Sequence, residues 1–329
     1  MNQIIKVIAP AKVNLHLDIG PVQSDGYHSA TSVLHAITLH DTLTMHFNDA
    51  ASGSGLVVNV CCQGTAGIEP PDVASEDNIV YKAIVALAKA LGRSADEEVS
   101  IEITKAIPYA AGLGGGSSDA AAALVGAASV WGLEIPSSQV VEVAASLGAD
   151  VPFFLYGGCV CMTGRGDVFD RAITPMKKPL VLVRPDAGVS TVEAYKTFDT
   201  HCEANETSGI PLTHSISEAQ SAADIALWNN LAPASESLLP ELSRVREWLA
   251  GRTGVERDAS GKPKVLLSGS GSSSFAVCES MDAAYAIVAA AKLEGWWARS
   301  CSFAPIGARI LDTSETSSHT NLGAVHKNW

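Results

Sequence analysis

Residues 13–19 alternate without a break, with Val13, Leu15, Leu17 and Ile19 on one face and Lys12, Asn14, His16 and Asp18 on the other. That period of two predicts a half-buried strand. Its polar face sets a lysine and an asparagine two residues apart, a spacing that suits a shared cleft and equally a solvated strand face. After a turn at Asp25-Gly26, residues 33–47 alternate again, with Ile37, Leu39, Leu43, Met45 and Phe47 in one parity. An antiparallel sheet follows from the two runs. Ser75-Glu76-Asp77 forms an N-cap cluster for a helix carrying Ile79, Ala83, Leu87 and Leu91, closed by Gly92. Val99, Ile101 and Ile103 predict a further strand. The alanine-rich run 120–131 predicts a helix, and so does 138–147, which ends at Gly148 with Asp150 just beyond and an apolar stretch at 153–156.

Beyond Lys177-Lys178-Pro179, residues 180–183 read as the first strand of a second half. The expected division is 1–175, 176–312 and a disordered tail over 313–329, which is rich in Ser, Thr and His. Within the second half, 200–221 reads as a loop and 236–249 as one helix, with Leu238, Leu242, Val245 and Leu249 at helical spacing. Residues 253–264 read as a hairpin extension, 265–267 as a strand, 268–274 as a second small-residue run and 282–293 as a helix. Antiparallel strands mixed with helices make the fold α+β.

The chain has 329 residues, enough for two domains, and its 47% hydrophobic and 17% charged content excludes a disordered chain or a charge-rich coiled coil. With 22 Lys+Arg against 35 Asp+Glu, net −13, a broad basic surface for nucleic acid is excluded, though a small basic pocket is not. Seven cysteines in no zinc or disulfide spacing suit a reducing, cytoplasmic setting. Neither a signal-peptide run nor 18 consecutive apolar residues occurs, so no membrane segment is expected. No feature specifies an oligomeric state.

The chemistry centres on PYAAGLGGGSSD at 108–119, which lies between a β-branched strand and an alanine-rich helix. A glycine run alone can be a linker. In this context its backbone can approach a ligand, while the N–H groups and dipole of the following helix attract an anion, and phosphate is the natural guest. The run matches neither GxxxxGK[ST] nor the dinucleotide fingerprint.

The pattern PxxxGLGGGSSDAA from Pro108 resembles the phosphate-binding motif of the GHMP small-molecule kinases. Pro10-Ala11-Lys12-Val13-Asn14-Leu15 is similar to that family's N-terminal motif, and Leu267-Ser268-Gly269-Ser270-Gly271-Ser272 to its C-terminal glycine motif. Asp25-Gly26-Tyr27-His28 and Gly148-Ala149-Asp150-Val151-Pro152-Phe153-Phe154 resemble the members whose substrate is 4-diphosphocytidyl-2-C-methyl-D-erythritol. The resemblance implies a two-domain GHMP kinase fold with antiparallel sheets flanked by helices and the active site in the inter-domain cleft. It also implies transfer of the ATP γ-phosphoryl group to the 2-hydroxyl of that small molecule.

Carried over residue by residue, the resemblance makes Asp150 the catalytic aspartate and Lys12 the catalytic lysine. The ATP phosphates would lie against Pro108, Ala110, Ala111, Gly112, Leu113, Gly114, Gly115, Gly116, Ser117 and Ser118, with Ser117 a contact for Mg²⁺ or phosphate. Asn78 and Lys105 match positions lining the adenine pocket. Tyr27 would pack around the cytosine, His28 would bond its edge, and Tyr195, after Thr191, would close the other side; Asn14 would meet the methylerythritol, with Gly269 and Gly271 shaping the substrate side. Tyr109-Ala110-Ala111 departs from the family by replacing a smaller, glycine-containing version. Two other readings stay open: a GHMP kinase for homoserine, mevalonate or a sugar, and a catalytically silent nucleotide-binding protein on the same scaffold.

Overall fold

The computed structural model describes residues 3–24, 26–205, 216 and 219–311. Asp25, part of the 200–221 stretch and the 313–329 tail therefore lie outside the described residues.

In chain order the elements begin with β1 (Gln3–Val22), β2 (His28–Asp49), β3 (Leu56–Gly64), α1 (Ile79–Ala90), β4 (Glu97–Lys105) and α2 (Gly115–Val130). They continue through α3 (Ser138–Leu147), α4 (Val151–Tyr156), β5 (Cys159–Thr163), β6 (Val168–Ile173), β7 (Pro179–Arg184) and α5 (Thr191–Asn205). The last are β8 (Trp228–Asn229), α6 (Ala232–Leu238), α7 (Glu241–Ala250), β9 (Val265–Leu267), β10 (Ser274–Val277), α8 (Met281–Leu293), β11 (Trp297–Ser302) and β12 (Arg309–Ile310).

One sheet runs β12-β1-β2-β4-β3, with β5 and β6 added beside β2 and β8 parallel to β1; the other runs β11-β7-β10-β9. The α+β expectation holds. Short strands from the second half, β8 and β12, return to pair with β1 in the first sheet.

The long β1–β2 pair shifts register between Pro10 and Lys12, where Pro10 faces His40 but Lys12 faces Ala36. Such an irregularity flips the alternation. On one side of it Val7, Ala9, Leu43, Met45 and Phe47 pack under α1 and α2. On the other, Ala11, Val13, Leu15, Ile37 and Leu39 pack against Leu180, Leu182 and Phe275 of the second sheet. The run sharing one parity from Ile37 to Phe47 thus serves two cores, and Lys12 and Asn14 turn toward the start of α2. Both are buried, so the solvated-face alternative for β1 falls away.

A third core lies on the outer face of the second sheet, where Val181, Val183 and Ala276 meet Val245 and Leu249 of α7 and Ala284 and Ile287 of α8. α2 is enclosed on all sides, and its small residues Ala120–Ala123, Ala127 and Ala128 are what let a helix fit there.

Four local expectations change. Ser75–Asp77 is a 3-10 turn, and Asn78 caps α1 by accepting from Val80 N. α2 starts at Gly115 rather than at 120, so the end of the glycine run is its first turn. The stretch from 200 begins as helix, because α5 extends to Asn205. Pro240, which cannot sit inside a helix, divides 236–249 into α6 and α7. Among the described residues no helix is long and apolar enough to cross a membrane.

Candidate active site

Three chain segments far apart in sequence are stitched at the backbone. Lys12 N donates to Leu113 O at 3.0 Å, Ser273 N to Ala111 O at 3.0 Å, and Ser268 Oγ to Gly112 O at 2.9 Å. Gly112 has φ +73°, and a Cβ there would stand 2.1 Å from Ser268 O, so only glycine lets the two small-residue loops touch. α2 then begins from Gly114, with its first-turn N–H groups at the mouth of a cleft of about 650 Å³.

Lys12 lies on the wall of this cleft, nearly buried. Its Nζ donates to Asn14 Oδ1 at 2.7 Å and stands 3.4 Å from Asp150 Oδ2, while the Asp150 side chain is 36% exposed. A carboxylate open to the cleft and an ammonium held beside it are thereby joined across the segments. Asn14 Nδ2 donates to Ser32 Oγ at 2.8 Å, and Ser32 Oγ to His16 O at 3.1 Å, which locks the amide so that its oxygen faces the lysine. Asp150 reaches its place because Gly148 ends α3 and the chain turns directly into α4.

On the far wall Thr191 Oγ1 lies 2.9 Å from Ser270 Oγ at the start of α5. One turn on, the Tyr195 phenol is pushed up to about 12 by burial, with the Asp150 charge adding to the effect. It is a neutral hydroxyl at any ordinary pH.

The cleft brings together Lys12, Asn14, Asn78, Lys105, Pro108, Ala110, Ala111, Gly112, Leu113, Gly114, Gly115, Gly116, Ser117, Asp150, Thr191, Tyr195, Gly269 and Gly271. Three other anticipated residues are not in its lining. Ser118 faces the sheet, and its buried hydroxyl donates to Pro10 O at 2.6 Å, tying α2 to β1. Tyr27 is exposed, with the Arg165 guanidinium 4.2 Å above its ring centre. His28 sits behind Tyr195 at 5.4 Å between ring centres; its Nδ1 lies 2.8 Å from Gly20 O and its Nε2 3.0 Å from Asp199 Oδ1.

Two residues anticipated on the nucleotide side are also committed within the protein. Asn78 Oδ1 caps α1 and its Nδ2 points at Cys62 Sγ, 3.6 Å away. Lys105 Nζ bonds both Asp41 and, at 2.5 Å, Asp119. Asp41 Oδ1 further accepts from Ala106 N and Ile107 N, so the cluster braces the chain just before the glycine run. Burial pushes the Asp119 carboxyl up, to about 8, against the pull of Lys105. Asp41 and Arg165 went unread in the sequence, and Asp119 was legible only as the end of the glycine motif; nothing local marks Asp41, a carboxylate on an alternating strand, as the partner of a lysine 64 positions away.

Comparison with known proteins places this arrangement. The model for the GHMP kinases N terminal domain matches residues 78–158, the stretch from the α1 cap through the glycine run to Asp150 and α4. The 4-diphosphocytidyl-2-C-methyl-D-erythritol kinase of Nocardia farcinica is 38% identical over 94% of this chain and 96% of its own length. The chain belongs to the 4-diphosphocytidyl-2-C-methyl-D-erythritol kinase family. The relative from Pelotomaculum thermopropionicum is 36% identical over 87% of this chain and 93% of its own. A crystal structure of 4-(cytidine 5'-diphospho)-2C-methyl-D-erythritol kinase superposes with a TM-score of 0.68 at 30% identity, covering 91% of this chain and all of that one. A homoserine kinase from Cytophaga hutchinsonii, with a TM-score of 0.66 at 21% identity over 94% and 98% of the two chains, shares the fold. The GHMP kinase architecture anticipated from the motifs is thus the family's own.

Proposed function

We propose that the protein transfers the γ-phosphoryl group of ATP to the 2-hydroxyl of 4-diphosphocytidyl-2-C-methyl-D-erythritol, a step of the non-mevalonate route to isoprenoid precursors, in a cytoplasmic setting. The observation that carries the mechanism is the Lys12–Asp150 pair, 3.4 Å apart at the junction of the glycine run and the acceptor wall. An alcohol is a weak nucleophile at neutral pH. As its oxygen bonds to the γ-phosphorus and the bond to the bridging β–γ oxygen breaks, Asp150 accepts the hydroxyl proton, and the products are ADP and the 2-phosphate. Lys12 orients that hydroxyl and offsets charge gathering on the transferred group. Asn14, locked by Ser32, fixes Lys12 and meets the methylerythritol. The first-turn amides of α2 cradle the nucleotide phosphates, and Tyr195, with Tyr27 and His28, receives the cytosine.

Mg²⁺ fits as an ion carried by the nucleotide. Among the described residues no cluster of three metal-binding side chains exists, so Ser117 and Asp119 Oδ1, a buried carboxylate oxygen with no partner, would supplement phosphate oxygens and water. The ion would neutralise phosphate charge.

The test compares acceptors. With ATP, turnover of the diphosphocytidyl substrate should exceed that of mevalonate and of homoserine by orders of magnitude, and equal turnover of either would overturn the assignment.

A further inference from the structure

We infer that Arg184, at the end of β7, is a positioning residue for the ATP phosphates: its guanidinium fixes the first turn of the glycine run in the left-handed conformation that presents the run's amides to the cleft. The inference rests on the nucleotide site proposed above and adds to it a residue that stands outside the three motifs.

Four carbonyls of the run are held from outside it. Ala111 O, Gly112 O and Leu113 O accept from Ser273 N, Ser268 Oγ and Lys12 N, and Tyr109 O accepts from Arg184 Nη1 at 3.1 Å. A trans peptide points its N–H opposite to its C=O, so these bonds turn the N–H groups of Ala110, Gly112, Leu113 and Gly114 away from the groups that hold the carbonyls. All four of those residues line the cleft. Three of the anchors lie in or beside the N- and C-terminal motifs, and Arg184 is the fourth.

Ala110 is the strained link. With φ +50° it is the one non-glycine residue in the left-handed region among the described residues, and a residue with a Cβ keeps that conformation only where its surroundings impose it. Ala110 is exposed, so no packed core imposes it. The constraints are the bonds to the carbonyls on either side, from Arg184 to Tyr109 and from Ser273 to Ala111. Arg184 can act as a fixed post because its other donors are tied to its own connection, Nε to Pro185 O at 3.0 Å and Nη2 to Asp186 O at 2.9 Å. Its three acceptors are spread around the rim of a planar guanidinium, a span that one ammonium nitrogen does not cover. The phosphates therefore meet a loop already shaped, and binding does not have to order it.

The experiment titrates ATP, and separately CDP, into the full-length wild type, Arg184→Gln, Arg184→Lys and the double variant Arg184→Gln/Ala110→Gly, with urea denaturation of each. Arg184→Gln should weaken ATP by about tenfold, the scale of one charge-assisted contact, and leave CDP binding as in the wild type. Arg184→Lys should weaken ATP as well, because it keeps the charge and loses the span. Adding Ala110→Gly to Arg184→Gln should return part of the ATP affinity, since glycine takes a positive φ without the clamp. Were Arg184 only a structural brace, the urea midpoint would fall with ATP affinity unmoved; were it an attractor of phosphate by charge alone, lysine would restore wild-type binding and glycine would not. Either result overturns the inference and leaves the kinase reading intact. If Arg184→Gln does not fold, Arg184→Lys carries the same test, and ATP affinity equal to wild type overturns the inference. A wild type that binds ATP but cannot phosphorylate the cytidyl substrate overturns the kinase reading and leaves the ATP comparison standing.

Discussion

Replacing Lys105 with methionine separates a structural cation from a nucleotide ligand. Its side chain is 8% exposed, and it serves two carboxylates, Asp41 and Asp119, that are 0% and 5% exposed. After Lys105→Met, Asp41 keeps the Ala106 and Ile107 amides on one oxygen, but its other oxygen loses its donor. Asp119 is left worse, since its Oδ1 already has no partner. Removing one side of a buried ion pair costs about 3–5 kcal/mol, and one ammonium shared by two carboxylates puts this case at the upper end. Urea denaturation at pH 7.5 should therefore show a loss of about 4–5 kcal/mol.

Adding Asp119→Asn to that variant replaces the buried carboxyl that has lost its donor with an amide and should recover part of the loss. Asp119→Asn alone should cost less than Lys105→Met, because Lys105 keeps Asp41 as its counter-charge. A Lys105→Met protein within about 1 kcal/mol of wild type, yet with a greatly raised ATP KM, would refute this reasoning and make Lys105 a ligand.

Tyr195→Ala should raise the substrate KM by about tenfold or more, in line with stacking of about 1–3 kcal/mol per base, without moving the ATP KM; an unchanged substrate KM in steady-state kinetics would remove the stacking role. Gly112→Ala drives a Cβ to 2.1 Å from Ser268 O at φ +73° and should lower both the denaturation midpoint and ATP affinity, whereas wild-type behaviour in both would deny the close approach of the two loops. His35 donates from Nδ1 to Ala36 O and accepts Met176 N–H at Nε2, and burial lowers its pKa to about 4. Its folded value lies below the unfolded 6.5, so its contribution to stability is complete above pH 6.5 and is lost as pH falls toward 4. Between pH 7.5 and 5 the loss is about 2 kcal/mol from this residue. Urea titrations should show that loss, and His35→Gln should flatten it.

Helical patterns were legible wherever one face of an element meets one core, as in 138–147 and 282–293. Period-two patterns misled where tertiary geometry intervenes. The shared parity from Ile37 to Phe47 hides a register shift that only the pairing with β1 reveals. β3 went unread because its burial alternates weakly, and β8 and β12 because their partner lies at the opposite end of the chain. The glycine run was readable as an anion loop from its place between strand and helix. The Lys12–Asp150 pair was not, since 138 positions separate the two; only the likeness of their motifs to a known family joined them. Ser118 shows the reverse, a motif residue whose hydroxyl is consumed by the fold.

The proton-accepting role of Asp150 is tested most directly by Asp150→Asn, which keeps the side chain's size and removes its charge. Pre-steady-state phosphoryl transfer should slow by roughly 10²- to 10⁴-fold while ATP and CDP bind as in the wild type. Transfer at a near wild-type rate, with both ligands still bound, would contradict the account.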